Sequence, residues 1–407
     1  MKRYTAILLC ILLALPLLAQ SIDMQAHLMS DEGKEAYTAY VAKQNAYYTS
    51  SYSYDNISAT TGDSLFGILN TLMGNTCRLE QGGFSYNSLR NAYKNVDRDL
   101  NTQGNIIGYY DGRSMNGTWD GGSTWNREHT WPQSKGADKS ISMGHDMQSV
   151  RPTSTAVNSD RGNTAYGESS GYYDPNDVAI NNPAYKSVNM GSYRGDAARV
   201  ILYDYLVYGQ VGNYQNDLYN GNAQLLNKLG TNGVFESVGV ILKWHMQDPP
   251  SLTEMVRNDG AQDYQGNRNP FIDFPEIAIE ILGSRLTTYA VTVSNSLNMW
   301  PAYRHTTRNG FVVYLNDANN NHPTSADLVI TGTSNYTYDP ALGRLIVTQT
   351  TANVSISLAS DVPVDPTAVD ATAADHQDAA IYDILGRRVS RMQHGQIYIR
   401  NGQKFMY

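Results

Sequence analysis

The apolar positions of this chain change their period along its length, and each change predicts a different kind of structure. Lys2 and Arg3 precede an almost wholly apolar run from Ala6 to Leu18, followed by small Ala19 and polar Gln20. That layout predicts a signal peptide over residues 1–20, too short and wrongly flanked for a membrane span. Helical spacing follows. Residues 33–48 are helical in pattern and rich in Ala and Tyr. Residues 61–76 place Leu65, Ile68, Leu69 and Leu72 on one face, with Asp63 or Ser64 near the start and Gly74 just past the end. Residues 85–99 repeat the pattern with Leu89, Ala92, Tyr93 and Val96. A short strand ending in a turn is expected at 105–114, then a Gly-rich link at 118–124. Residues 164–193, rich in Tyr, Asn, Gly and Ser, read as a surface loop whose tyrosines either stack bases or simply order the loop. Residues 198–209 and 234–249 predict amphipathic helices forming the main core. His245, at the end of the second, reads as a core or capping histidine. Asn269–Pro270 stops one element and Pro275 starts another; Arg268, just before Asn269, reads as packing or as a group reaching the active site.

Beyond Gly283 the period becomes two. Tyr289, Val291 and Val293 alternate, as do Val354, Ile356 and Leu358, and 311–315, 327–332 and 344–349 are short β runs between turns. The fold class is therefore α+β: a mostly helical domain over 21–284, then a small β-sandwich-like module over 285–358. Residues 359–379 form a Pro/Ala/Asp linker, and 380–407 read as strand, turn, strand.

Composition changes this picture in two ways. The chain holds Cys10 and Cys77 alone, so cleavage of the leader leaves one thiol and no internal disulfide. An exported protein of this length then depends on core burial for stability. Its net charge of −8 argues against a passive polyanion binder. It does not exclude an enzyme that handles one phosphate with a metal and a few arginines, of which Arg113, Arg127, Arg151 and Arg161 are candidates.

The candidate chemistry centres on WNREHTWPQSKG, residues 125–136. Glu128 and His129 are adjacent, so they diverge by about 100° on a helix or face opposite ways on a strand. One can hold a cation while the other handles a proton. The run from Asp146 to Asn163 adds Arg151, Asn158 and Arg161. Thr153 and Ser154 are N-cap candidates for a helix on which Asn158 and Arg161 share a face. Arg151 precedes Pro152 and is either a loop-orienting or a substrate-facing group. These parts suit metal-assisted phosphodiester hydrolysis and equally a satisfied structural network.

WNREHTWPQSKG followed by D-x-x-x-x-RPT-x-x-x-VNSDRGN resembles the bacterial endonuclease I and secreted nuclease family, which carries a ββα-metal, or His-Me, finger. GDAARVILY (195–203), ILKWHMQDP (241–249) and QGNRNPFIDFPE (265–276) extend the resemblance over roughly 45–283. It implies a secreted, metal-dependent endonuclease acting on DNA, RNA or both and leaving 5′-phosphate ends. His129 is then the general base, and Glu128 and Asn158 the metal ligands. Arg161 with Arg127 would steady the transition state, or Arg161 forms a salt bridge with an acidic neighbour. The implied cofactor is a divalent cation, magnesium first, with calcium or manganese as alternatives. Where the family usually has His or His-His after the second motif's D-L, this chain has Gln148–Ser149, with His145 just before Asp146. A nuclease-fold surface protein without turnover is the alternative that this departure favours. No H-E-x-x-H or paired Cys spacing supports a zinc hydrolase. The tail resembles a type IX secretion sorting segment through I-Y-D-x-x-G-R-R-V and G-x-I-Y-I-x-N-G-x-K, implying secretion machinery as a partner beside the nucleic-acid substrate.

Overall fold

The computed structural model describes residues 31–99, 101–176, 192–208 and 233–361, and four short strands within 381–406. The expected signal peptide, residues 1–20, and nearly all of the expected linker, 359–379, lie outside the described residues. The chain divides into two units, 1–359 and 360–407.

In the first unit the helices α1 (Asp31–Tyr47), α2 (Gly62–Thr76) and α3 (Leu89–Val96) follow the predicted periodicity. Leu65, Phe66, Leu69, Leu72 and Met73 bury the inward face of α2. The helix expected over 85–99 is shorter. Ser85 and Ser88 each accept the other's backbone N–H on a hydroxyl, at 2.9 and 3.2 Å, and this reciprocal turn competes with helix until Leu89. Two strands come next, β1 (Asn105–Ile107) and β2 (Ser114–Asn116), paired antiparallel.

Then come β3 (Trp125–His129), β4 (Val150–Ser154) and, with no intervening loop, α4 (Thr155–Arg161). β3 and β4 pair antiparallel, with Glu128 opposite Arg151 and His129 opposite Val150. The main chain after β1 ties to β4: Tyr109 N–H donates to the Pro152 carbonyl at 2.7 Å, and Thr153 Oγ1 donates to the Tyr109 carbonyl at 2.7 Å. Ser154 sits at the N-cap of α4 as expected, but its hydroxyl donates to Asp111 at 2.8 Å instead of capping the helix.

The core is built from α5 (Arg194–Tyr208), α6 (Val238–Gln247), α7 (Leu252–Gln265) and α8 (Ile277–Leu282). α5 was expected to be amphipathic. It is instead buried on all sides, Arg199 and Asp204 included. Arg199 is tolerated because it is paired, donating from Nε and Nη2 to Glu254 at 2.7 and 2.8 Å. Asp204 accepts from Ser149, and burial raises its carboxyl, favouring the neutral form. α7 opens with a capping box between Ser251 and Glu254. Its Gly260 lies where an added Cβ would stand 3.0 Å from the Val96 backbone, so α3 and α7 approach closely there. The tyrosines expected on a surface loop are inside: Tyr166 and Tyr173 are buried in the main apolar cluster. Residues 177–191 lie outside the described region.

The last third of this unit is β. The strands are β5 (Thr288–Val293), β6 (Leu297–Trp300), β7 (His305–Thr307), β8 (Phe311–Asp317), β9 (Leu328–Thr331), β10 (Asn335–Asp339), β11 (Arg344–Gln349) and β12 (Val354–Leu358). They form two four-stranded sheets, ordered β10-β11-β8-β6 and β7-β5-β12-β9. Their inward residues, among them Phe311, Val313, Val347 and Ile356, belong to the same buried cluster as Trp244, Phe271 and Ile277 of the helical part. The β and helical regions therefore share a core. Alternation revealed β5 and β12, and short β runs between turns revealed β8, β9 and β11. β6, β7 and β10 lack an apolar alternation long enough to read.

The second unit carries β13 (Ile381–Asp383), β14 (Arg388–Val389), β15 (Ile397–Arg400) and β16 (Gln403–Met406) in one antiparallel sheet ordered β14-β13-β15-β16. The tail thus holds more strands than the strand, turn, strand read from its sequence. Among the described residues no helix is long and apolar enough to cross a membrane.

Candidate active site

His129 ends β3 with its ring 6% exposed. Its Nε2 lies 3.1 Å from the Gly144 carbonyl. A carbonyl only accepts, so Nε2 carries the proton and Nδ1 keeps its lone pair. Gln133 Nε2 donates to that Nδ1 at 3.2 Å. Burial, aided by Arg127 and Arg161 and opposed by the Gly144 bond, pulls the imidazole down to about 4. The ring is therefore neutral at pH 7 and able to accept a proton. Gly144 can hold this position because it has no side chain: an added Cβ would meet the Asp138 carbonyl at 2.0 Å. Tyr86 stacks on the imidazole, centroids 5.2 Å apart and planes at 29°.

Glu128 is buried beside it. Tyr110 donates to Oε1 at 2.9 Å, and Arg161 Nη1 lies 3.1 Å from the same oxygen. Burial outweighs both and raises the carboxyl to about 6. No hydrogen bond from a described residue falls on Oε2. Asn158, half-buried on α4, lines one polar cleft of about 330 Å³ with Glu128, His129, Arg127, Asn126 and Gln133. The two segments singled out in the sequence thus meet.

Arg161 shares α4 with Asn158 but does not line this cleft. Its guanidinium is 1% exposed and donates to the carbonyls of His129 and Thr130 at 2.9 and 2.7 Å while facing Glu128. It also lies over the Tyr166 ring, 4.7 Å from the centroid. The geometry is that of a brace behind the carboxylate. Arg127 does line the cleft. It donates to the Tyr86 carbonyl at 2.5 Å and lies 3.5 Å over the Tyr86 ring. Arg151 turns elsewhere, to a stack on Tyr109 at 4.8 Å.

Gln148 and Ser149 are sealed in the core. Gln148 donates to Asn258 at 2.7 Å and Ser149 to Asp204 at 2.9 Å. Asp146 accepts from Tyr203, Tyr208 and Gln265 at 2.8, 2.6 and 2.7 Å. The departure from the resembled motif therefore lies in a packed polar network, and neither Gln148 nor Ser149 lines the cleft. His145 is buried beside this network, its Nδ1 without a described partner. His245 is a core histidine, its Nε2 2.6 Å from the Pro275 carbonyl. Arg268 is packing, held by Asp273 and Asp259 at 2.7–2.9 Å.

Sequence reasoning missed Gln133, Gly144, Tyr110 and Tyr86. Only Gln133 lay within the motif, four residues after His129; the others reach the site through folding and carry no local signal.

A neutral imidazole whose Nδ1 accepts from Gln133 stands beside a carboxylate and an amide on one polar cleft, an arrangement chemically able to take up a proton. Residues 67–276 match the family described as Endonuclease I. The extracellular ribonuclease of Bacillus subtilis (strain 168) is 34% identical over 243 residues, spanning 56% of this chain and 77% of that protein. The extracellular ribonuclease of Bacillus amyloliquefaciens is 34% identical over 237 residues, with the same coverage. The chain belongs to the Endonuclease I family, a nuclease family generally dependent on divalent metal.

Proposed function

We propose that this protein is a secreted, metal-dependent endonuclease that hydrolyses phosphodiester bonds of DNA, RNA or both and leaves 5′-phosphate ends. The reading rests above all on His129, whose Nδ1 accepts only a weakly held Gln133 amide while Nε2 is fixed on the Gly144 carbonyl. β3, β4 and α4 serve as the ββα-metal finger, and the two sheets of 288–358 as a sandwich-like module.

The donor set suits a hard cation. One carboxylate and one amide oxygen on a polar cleft leave most positions to water, as magnesium prefers, with calcium and manganese as alternatives. Glu128 and Asn158 would hold that cation, which supplies charge neutralisation at the scissile phosphate and its leaving oxygen. His129 Nδ1 takes a proton from a water. The water oxygen bonds to phosphorus as the P–O3′ bond breaks, and solvent protonates the departing oxygen. Arg161 acts as a positioning residue, keeping the Glu128 carboxylate in place; Arg127 faces the transition state from the cleft wall.

Export through the N-terminal leader agrees with the extracellular naming of both relatives. The C-terminal tail would then serve as the type IX sorting segment. The deciding experiment incubates purified protein with single- and double-stranded DNA and with RNA, in magnesium and in EDTA. Cleavage in magnesium alone is expected; no cleavage of any substrate would leave a nuclease-fold binding protein.

A further inference from the structure

From His129 outward, aromatic rings and guanidiniums alternate. Tyr86 stacks on His129, and Arg127 lies 3.5 Å over the Tyr86 ring. Arg127 also faces Trp119 at 5.1 Å, and Arg90 lies 4.5 Å over the same indole. The row is anchored to the catalytic strand, because Trp119 packs edge-on against buried Trp125 of β3 at 4.8 Å. Its outer members Arg90 and Trp119 come from α3 and the Gly-rich link and are half-buried.

Neither Arg90 nor Arg127 forms an ion pair with a described carboxylate, and the Arg90 guanidinium makes no hydrogen bond to a described residue. Burial pulls Arg127 below its ordinary value, and the nearby Arg90 adds to that. Two like charges beside one indole, in a chain of net charge −8, have no anion of their own. A guanidinium laid flat on a ring can turn its hydrogen-bonding edge to a phosphate. Arg127 Nη1 is held by the Tyr86 carbonyl, while its Nη2, like the Arg90 guanidinium, makes no hydrogen bond to a described residue. The Tyr86 ring already carries a cation and an imidazole, so the row offers charged edges more than bare faces for bases.

We infer that Arg90 and Arg127, stacked on Trp119 and Tyr86, form a phosphate-binding track that holds the polynucleotide backbone beside the scissile bond. This rests on the nuclease reading above and extends it to a subsite. Readout through the backbone makes the track indifferent to base sequence. Arg90 lies beyond the reacting atoms and positions the strand.

The test measures binding of a labelled oligonucleotide in EDTA across a salt series, for wild type, Arg90→Gln, Arg90→Lys and Trp119→Leu. Arg90→Gln should reduce the slope of log affinity against log salt by about one. Arg90→Lys should keep the slope, and Trp119→Leu should weaken binding by releasing the stacked guanidiniums. A wild-type slope in Arg90→Gln overturns the track. In magnesium, Arg90→Gln should raise KM more than it lowers kcat, and more for long substrates than for a dinucleotide; equal losses at every length would also overturn it. Steep wild-type binding without cleavage would remove the nuclease reading and leave the track standing. Cleavage with an unchanged Arg90→Gln slope would do the reverse.

Discussion

Two buried histidines of this molecule differ in where the second ring nitrogen points. His129 and His245 are both buried, both place Nε2 against a backbone carbonyl, and burial depresses both, to about 4 and about 3. His245 faces Phe271 edge-on at 6.4 Å, and its Nδ1 has no described partner. His129 points Nδ1 toward Gln133 in a cleft that also holds Glu128 and Asn158. A depressed value therefore reports desolvation in both places. What marks a base is where its free lone pair opens.

That contrast breaks most directly by truncating each ring. His129→Ala should lower the cleavage rate by about 10²–10⁴-fold, the usual scale of a general base, with circular dichroism unchanged. His245→Ala should instead cost stability, about 2–4 kcal/mol in denaturant unfolding, with near-normal activity per folded molecule. If the two variants lose activity alike while folded, the division between cleft and core is wrong. Glu128→Gln comes next. It keeps shape but removes the charge, so the magnesium midpoint of cleavage should rise by about tenfold or more. An unchanged magnesium titration would take Glu128 out of the ligand set.

The acid limb of the pH profile separates the two groups within the cleft. Glu128 must be ionised to hold a cation, and its value is raised to about 6, whereas His129 loses its base function only near 4. Activity should thus fall as pH drops through about 6. The limb should move to lower pH as magnesium is raised, since metal and proton compete for one carboxylate. A metal-independent limb would assign it to another group. Stability without metal carries both signs. The raised Glu128 favours folding below its unfolded value and loses that support as pH rises toward 6. The lowered His129 supports folding above 6.5 and loses that support as pH falls toward 4.

How much of this was legible depends on where the deciding partners lie. The face of α2 and the alternation of β5 and β12 are local patterns, and both folded as read. The meeting of Glu128, His129 and Asn158 was expected because their segments resemble a known motif, and β3, β4 and α4 bring them to one cleft. The tautomer of His129 was not readable, because it is set by a carbonyl fifteen residues away that only a glycine allows. For Arg161 the sequence left a phosphate clamp and a salt bridge with an acidic neighbour equally open, and two carbonyls and Glu128 hold it behind the cleft. α5 hid its burial because its charges are neutralised by distant residues such as Glu254. Long-range polar satisfaction leaves no period in a sequence.

The smallest effect on activity is expected at Gln148, where the chain departs from the motif it resembles. Gln148 Nε2 donates to Asn258, which in turn donates to Asp273 and the Asn269 carbonyl, both at 3.1 Å. Gln148→Ala removes a buried donor and leaves the Asn258 oxygen with only the Asn269 N–H, at 2.7 Å. The cost should be about 1–3 kcal/mol, read as a lower denaturant midpoint with unchanged slope. Assayed well below its melting temperature, the variant should cleave within about twofold of wild type, because nothing in this network lines the cleft. A loss on the scale of His129→Ala, with stability intact, would mean that the packed side of the second motif reaches the reacting phosphate after all. The boundary between the two histidine regions would then have to be redrawn to include it.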